Sequence, residues 1–170
     1  MLKAAIAGAV MLFALVGGAH SSPTSCRLSI APGDGWSEAT GQHTLTFILT
    51  NRGASACTLD GYPQVEFRDA KGRVPFVFHH GGDQMLTTRA PARVRFAPGR
   101  HAYVALNKYR CDLGDKREPS RAVLVPPGGG TQLSAPVTGW FFGWCGPGDP
   151  GSTVSVTPIE ATAAALSRRH

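Results

Sequence analysis

Alternation of apolar and polar residues defines the clearest predicted strand. Between residues 42 and 50, Leu45, Phe47 and Leu49 occupy every second position, and the positions between them are mostly threonine. Successive side chains of a strand point to opposite faces, so the pattern predicts one face packed on a core and one mixed face.

A second strong strand is predicted over 101–108, where Ala102, Val104 and Leu106 share one face. Shorter extended segments follow one another at intervals of about 8–12 residues with turn formers between them, which is typical of a sandwich. The predicted fold class is therefore all-β: an immunoglobulin-like antiparallel β-sandwich of about seven to nine strands, stapled by two disulfides. The shorter segments are 26–30, 64–68, 74–80, 85–88, 92–96, 122–125, 131–137 and 152–159.

Residues 1–19 have the features of a secretory signal peptide. Lys3 supplies the positive end, residues 4–16 are apolar or small, and residues 17–19 are small, as cleavage requires. The apolar run is shorter than the ~20 residues that span a bilayer, and no other transmembrane candidate exists. We expect cleavage near Ala19 and a secreted, extracellular protein, either free or associated with the cell wall.

The rest of the chain is predicted to form three parts. Residues 20–25 are a short polar leader, 26–160 the β-sandwich domain, and 161–170 a flexible Ala-rich tail. A lipid anchor needs a cysteine directly after a small-residue box. The residues before Cys26 do not supply one, so we expect the free secreted form.

Composition and charge narrow the class of partner. The chain has 170 residues, 42% of them hydrophobic and 16% charged, which is enough apolar material for one core. The formal net charge of +6 falls to +5 without Lys3, and no basic helix or stripe is visible. We therefore expect no nucleic-acid partner. Weak attraction to anionic cell-wall polymers or lipid headgroups is a milder expectation, and we expect a monomer.

Four cysteines in an exported chain predict disulfides, and three pairings are possible. If the first two strands are antiparallel neighbours, the start of one lies beside the end of the other, which brings Cys26 near Cys57. The same argument applies to the strand at 101–108 and the closing strand at 152–159. Cys111 follows the first of these and Cys145 precedes the second, so the two cysteines lie near each other. We therefore predict the bonds Cys26–Cys57 and Cys111–Cys145.

Several motifs occur together in a characteristic order. A strand ending in Thr-Asn-x-Gly is followed by Cys-Thr-Leu-x-Gly-Tyr-Pro at residues 57–63. Later motifs are Phe96-x-Pro98-Gly99, Cys111, Val125-Pro126-Pro127, Cys145 and a closing Val-x-Val-x-Pro-Ile at 154–159. From Cys26 to about Glu160 the chain resembles the domain-of-unknown-function family numbered forty-two thirty-two, common in secreted and lipid-anchored actinobacterial proteins. The resemblance implies a β-sandwich in an extracytoplasmic setting, and it brings no assigned activity or catalytic residues.

No nucleophile with its base is recognisable. There is no Gly-x-Ser-x-Gly turn, and the four cysteines are better used as disulfides. An unrecognised hydrolase is an alternative that requires carboxylates to meet in space. The acidic residues considered are Glu38, Asp60, Glu66 and Asp83.

One cluster resembles a set of metal ligands, namely His79, His80, Asp83 and Met85. Neighbouring strand residues point to opposite faces, so the two histidines are not expected to share one ion. We predict no metal and no cofactor. A small copper or other metal carrier that uses His79, His80 and Met85 is the alternative.

The segment 140–145 holds two of the three tryptophans and two of the eight phenylalanines. If Cys145 turns inward to its disulfide, alternation sends Phe141 inward as well. The side chains left on the opposite face are Trp140, Phe142 and Trp144. An uncovered stripe of large aromatic residues marks a binding surface, whereas a covered one is part of the core.

The leading prediction is an exported, non-enzymatic β-sandwich that binds a protein or a cell-envelope component. The alternatives differ in what the fold must bring together. A metal carrier needs His and Met side chains within about 3 Å of a common point. A hydrolase needs a cleft that holds an acid–base pair.

Overall fold

The computed structural model describes residues 26–37, 41–137 and 141–168. The predicted signal peptide and leader, residues 1–25, lie outside the described residues. Within the described ranges the chain forms twelve strands and two short 3-10 turns, Pro150–Ser152 and Ala163–Leu166. The strands are β1 (Leu28–Pro32), β2 (Trp36–Ser37), β3 (Gln42–Asn51), β4 (Cys57–Leu59), β5 (Gln64–Asp69), β6 (Gly72–Val74), β7 (Val77–His80), β8 (Val94–Phe96), β9 (His101–Tyr109), β10 (Arg121–Val125), β11 (Leu133–Pro136) and β12 (Thr153–Val156).

The predicted all-β class with two disulfides is confirmed. Eight of the strands have four or more residues, and the other four are pieces of two or three residues, of which β8 lies within the predicted segment 92–96. No described segment forms a helix with the length and hydropathy of a membrane span.

The strands form two main sheets and a two-stranded ribbon. The first sheet has the order β1-β3-β9-β12-β7 with β2 beside β3, the second has the order β11-β10-β5-β6, and the ribbon pairs β4 with β8. The named pairs are antiparallel except for β12 and β7, which run parallel. This pair differs from the predicted antiparallel arrangement. Its strands are far apart in the chain, so no local pattern carries their relative direction.

The core lies between the two sheets. Leu45 pairs with Leu106 and Phe47 with Val104 across β3 and β9, and all four side chains are fully buried. Phe67 of the second sheet belongs to the same apolar cluster. The inward faces predicted for the two strong strands are therefore confirmed.

The outer face of the first sheet is covered as well. Residues 81–88 and the C-terminal segment pack on it and bury a second apolar cluster. Beside that cluster the Asn107 amide donates hydrogen bonds to Asp83 Oδ2 at 2.8 Å and Gln42 Oε1 at 2.6 Å. The cluster consists of Met85, Leu86, Ala105 and Leu166.

The prediction of a flexible tail is wrong for residues 163–168. Leu166 is fully buried, and its carbonyl accepts a hydrogen bond of 2.8 Å from the backbone N–H of Thr87. The site that receives Leu166 is made by residues distant in sequence, so the Ala-rich segment gives no local sign of it. Residues 169–170 lie outside the described residues.

Both predicted disulfides are present. Cys26 is bonded to Cys57 with a Cα–Cα distance of 5.4 Å, and Cys111 to Cys145 with 5.1 Å. The first two long strands, β1 and β3, are antiparallel neighbours, as the pairing argument required.

A candidate binding site at the Cys111–Cys145 end

The Cys111–Cys145 bond joins two loops at one end of the sandwich. We call residues 109–117 and 141–151, which surround this bond, the disulfide end. The Trp144 N–H donates to the Arg117 carbonyl at 2.7 Å, and the Lys116 N–H donates to the Trp144 carbonyl at 2.8 Å. The two loops are therefore held together by covalent and hydrogen bonds, which fix the course of the backbone around the disulfide.

Two glycines allow this close packing. A β-carbon at Gly143 would collide with the Asp115 side chain. At Gly151 it would collide with the Cys145 sulfur, and it would lie 2.7 Å from the Tyr109 carbonyl oxygen. Only a residue without a side chain fits at either position.

Exposed apolar side chains are concentrated at the disulfide end. The exposed fraction is 89% for Leu113, 72% for Phe141 and 41% for Tyr109. Among the described residues, the remaining large apolar side chain of this kind is Val77, which is 62% exposed and lies on the edge strand β7. A local concentration of exposed apolar groups is a recognised sign of a binding surface.

The backbone at Phe141 is strained. Its φ of 52° lies in the left-handed region, and no other non-glycine residue in the described part of the chain has a positive φ. That conformation costs roughly 1–2 kcal/mol for a residue with a β-carbon. The exposed ring stacks on His43 with 5.8 Å between ring centroids and 28° between ring planes.

A buried lysine lies beneath this surface. Lys108 is the register partner of His43 and points to the core side of the first sheet, in line with Leu106. It is 1% exposed, and its Nζ has no hydrogen-bond partner among the described residues. Nζ lies 5.8 Å from the centre of the Phe142 ring, within cation–π range.

Burial governs the protonation of both groups. It lowers the pKa of Lys108 to about 8, and the carboxylates of Asp115 and Asp149 oppose the shift. Burial and then the charge of Lys108 lower the pKa of His43, which Asp115 opposes. At neutral pH the end of the core therefore holds the positive charge of Lys108, which Asp115 and Asp149 compensate only in part.

The predicted aromatic stripe is wrong. Phe142 is buried in the core at 3% exposure, Trp144 is half-buried against the same core, and Trp140 lies outside the described residues. Phe141, which alternation placed inward, is the exposed aromatic residue. The reason is the left-handed turn at Phe141, because strand alternation does not continue through it.

The sequence contained a usable signal for Lys108 and none for Leu113. Extending the inward series of Ala102, Val104 and Leu106 by one step predicts that Lys108 is buried, although its charge argues against this. The exposure of Leu113 depends on the course of a loop that no periodic pattern describes.

The candidate metal ligands have separate surroundings. The His80 ring stacks on Tyr62 at 4.8 Å, His79 is exposed on β7, and Met85 is buried in the second apolar cluster. The described residues contain one group with ligand spacing, Cys111, Asp115 and Cys145. Its two sulfurs form a disulfide and are not available as thiolates, the form in which cysteine binds metals.

The acidic residues are also dispersed. Asp83 hydrogen-bonds Asn107 on the outer face of the first sheet, whereas Glu66 lies on β5 of the second sheet and pairs with Arg68. Asp60 follows β4, and Glu38 lies outside the described residues. The arrangement does not bring Asp83 and Glu66 together as an acid–base pair.

Fold and covalent links define the class of the protein: a disulfide-stapled β-sandwich with a structured loop region at one end. The chain belongs to the family described as domain of unknown function (DUF4232), whose sequence profile matches residues 22–160. No curated protein and no solved structure matches the chain.

Proposed function

We propose that the protein is an exported, non-enzymatic binding module that holds a protein partner at the disulfide end. The observation that carries the proposal is the concentration of Leu113, Phe141 and Tyr109 at this end. Protein interfaces typically place apolar anchors at the centre and polar residues at the rim.

Charges of both signs surround these apolar side chains. Arg110 and Asp112 form an exposed ion pair at 3.8 Å, and Asp115 and Lys116 are exposed on the same loop. A mixed rim of this kind favours a protein with complementary charges over a uniformly charged polymer.

Rigidity of the disulfide end supports a binding role. Phe141 keeps a strained backbone and stacks on His43 of β3, and strained residues are characteristic of ligand clamps and other functional sites. A surface that is already ordered loses little conformational entropy on association, so apolar contacts contribute more fully to affinity.

The test is capture of envelope proteins from the producing cells by the folded mature domain. The Leu113→Ser/Phe141→Ser double variant is compared with Val77→Ser, which removes an exposed apolar side chain elsewhere. Each captured protein is then titrated by calorimetry against the wild-type domain, the double variant and the Val77→Ser variant. We expect the double variant to lose at least about thirtyfold in affinity, because the loss of even one anchor residue costs on the order of 2 kcal/mol.

The outcome that contradicts the proposal is equal affinity of the wild type and the double variant for every captured protein. Melting temperatures serve as the control for folding, and we expect them to remain close to the wild type because both side chains are exposed.

Export is a separate prediction, based on Lys3 and the apolar run that follows it. Mass spectrometry of the culture medium is expected to find a chain that begins close to His20. A full-length cytoplasmic species as the main product would contradict it.

A further inference from the structure

We infer that the protein has a second site, a cleft that binds a phosphodiester polymer through Arg95 and Arg100. The cleft has a volume of about 570 Å³ and lies where β8 meets the start of β9. Its lining includes Arg95, Arg100, His101 and Tyr103. This site is distinct from the disulfide end and does not depend on the function proposed there.

The cleft belongs to a segment whose charged side chains are all positive. Residues 89–101 contain four arginines and no acidic residue, and all four arginines are exposed. Within the described residues no carboxylate lies within ion-pair distance of Arg95 or Arg100. Two guanidinium groups are thus left without an internal partner at the cleft.

Hydrogen bonds to Asn51 hold the backbone that carries Arg95 and Arg100. The Asn51 N–H donates to the Arg100 carbonyl at 3.0 Å, and the Gly99 N–H donates to the Asn51 carbonyl at 2.8 Å. The Asn51 amide also donates to the Phe96 carbonyl at 3.2 Å. His101, which also lines the cleft, has a hydrogen-bond partner of its own, because its Nδ1 lies 3.0 Å from the Thr50 hydroxyl.

The chemistry of the lining indicates phosphate. A guanidinium group presents a planar fork of N–H donors that matches two phosphate oxygens, and it stays charged at every accessible pH. Arg89 and Arg93 are exposed in the same segment of the chain as the two cleft arginines. A chain with phosphates at regular intervals can therefore make several contacts where a single phosphate makes one.

A soluble polymer fits better than a membrane surface. The cleft is concave, and the exposed large apolar side chains among the described residues lie elsewhere on the molecule. Stable membrane attachment needs an apolar insertion or a lipid chain in addition to charge.

The test is calorimetric titration of the mature protein with short synthetic poly(glycerol phosphate) over a range of salt concentrations. Arg95→Gln/Arg100→Gln is compared with Arg27→Gln/Arg121→Gln, which removes two exposed arginines outside the cleft. We expect the cleft variant to bind about tenfold more weakly. The plot of log affinity against log salt should become less steep by about one to two, as the loss of two phosphate contacts predicts. The matched variant should remain within about threefold of wild type.

A further variant separates hydrogen bonding from charge alone. Arg95→Lys/Arg100→Lys should keep the salt slope but bind more weakly than wild type, because an ammonium group lacks the fork. Four outcomes overturn the proposal: no binding of the polymer at low salt, equal loss in the cleft and matched variants, binding to phosphatidylglycerol vesicles without binding to the soluble polymer, or tighter binding to a single-stranded oligonucleotide with the same number of phosphates.

Discussion

Phe141 combines backbone strain with exposure. Its positive φ is unfavourable for any residue with a β-carbon, while its ring gains only a partly solvated contact with His43. The backbone at this position would be more stable with glycine, whereas the exposed apolar surface needs the phenylalanine ring.

Substitution at Phe141 should invert the usual order of alanine and glycine. We expect Phe141→Gly to be more stable than Phe141→Ala by about 1 kcal/mol, because glycine adopts the left-handed region without strain. Denaturant unfolding of the two variants measures the difference. Alanine as the more stable variant would show that the backbone turn is not strained in solution.

Lys108 is predicted to make stability depend on pH. Burial lowers its pKa to about 8 from an ordinary value of 10.5. Between these values the unfolded chain binds more protons than the folded one, so the free energy of unfolding rises with pH. Below pH 8 the penalty, on the order of 3 kcal/mol, is fully present.

Lys108→Met should therefore raise the free energy of unfolding at pH 7 by about 1–3 kcal/mol and flatten its rise across alkaline pH. Lys116→Met, which removes an exposed lysine from the same end, is the matched control and should leave the profile nearly unchanged. Denaturant titrations from pH 6 to about 10.5 test both variants. Identical profiles for wild type and Lys108→Met would contradict the assignment.

At the scale of elements, each disulfide holds one of the two proposed surfaces. The Cys111–Cys145 bond joins the loops of the disulfide end. The Cys26–Cys57 bond holds β4, which is the only partner of β8 in the described ribbon. The arginine cleft begins on that ribbon.

Removal of either bond should cost a similar amount of stability but affect different binding. The bonded residues are 31 and 34 positions apart, for which the chain-entropy argument gives about 3–4 kcal/mol each. We expect Cys111→Ala/Cys145→Ala to weaken partner binding and Cys26→Ala/Cys57→Ala to weaken polymer binding. Denaturant unfolding with both binding assays provides the measurement, and the same pattern of loss in both variants would argue against separate surfaces.

At the scale of the whole molecule, the two surfaces lie at opposite ends of β3 and β9. Thr50 pairs with His101 beside the arginine cleft, and Gln42 pairs with Tyr109 at the disulfide end. The strand length between them is about 26 Å at 3.3 Å per residue. One molecule therefore has room to hold a polymer at one end and a protein at the other.

The two sites should act independently. Leu113→Ser/Phe141→Ser is expected to bind poly(glycerol phosphate) like wild type, and Arg95→Gln/Arg100→Gln to bind the partner protein like wild type. Independence follows because separated sites without shared contacts are usually additive. A change of more than about threefold in either cross-test would show that the sites are coupled.

Part of this arrangement is already determined by the sequence. Alternation from Leu45 to Leu49 places a strand and its inward face, because side-chain direction in a strand is a local property. Cysteine pairing follows from the expectation that the strands next to the bonded cysteines are antiparallel neighbours. The motifs around Cys57 and Cys145 indicate the family, which the match over residues 22–160 establishes.

Tertiary structure alone decided the rest. Phe141 is exposed because a left-handed turn interrupts the alternation, in a loop that is bonded to a second loop distant in sequence. Leu166 is buried because residues 81–88 create its site, and β7 joins β12 in parallel across a long stretch of chain. In each case the deciding contact joins residues far apart in sequence, and periodic patterns describe only neighbours along the chain.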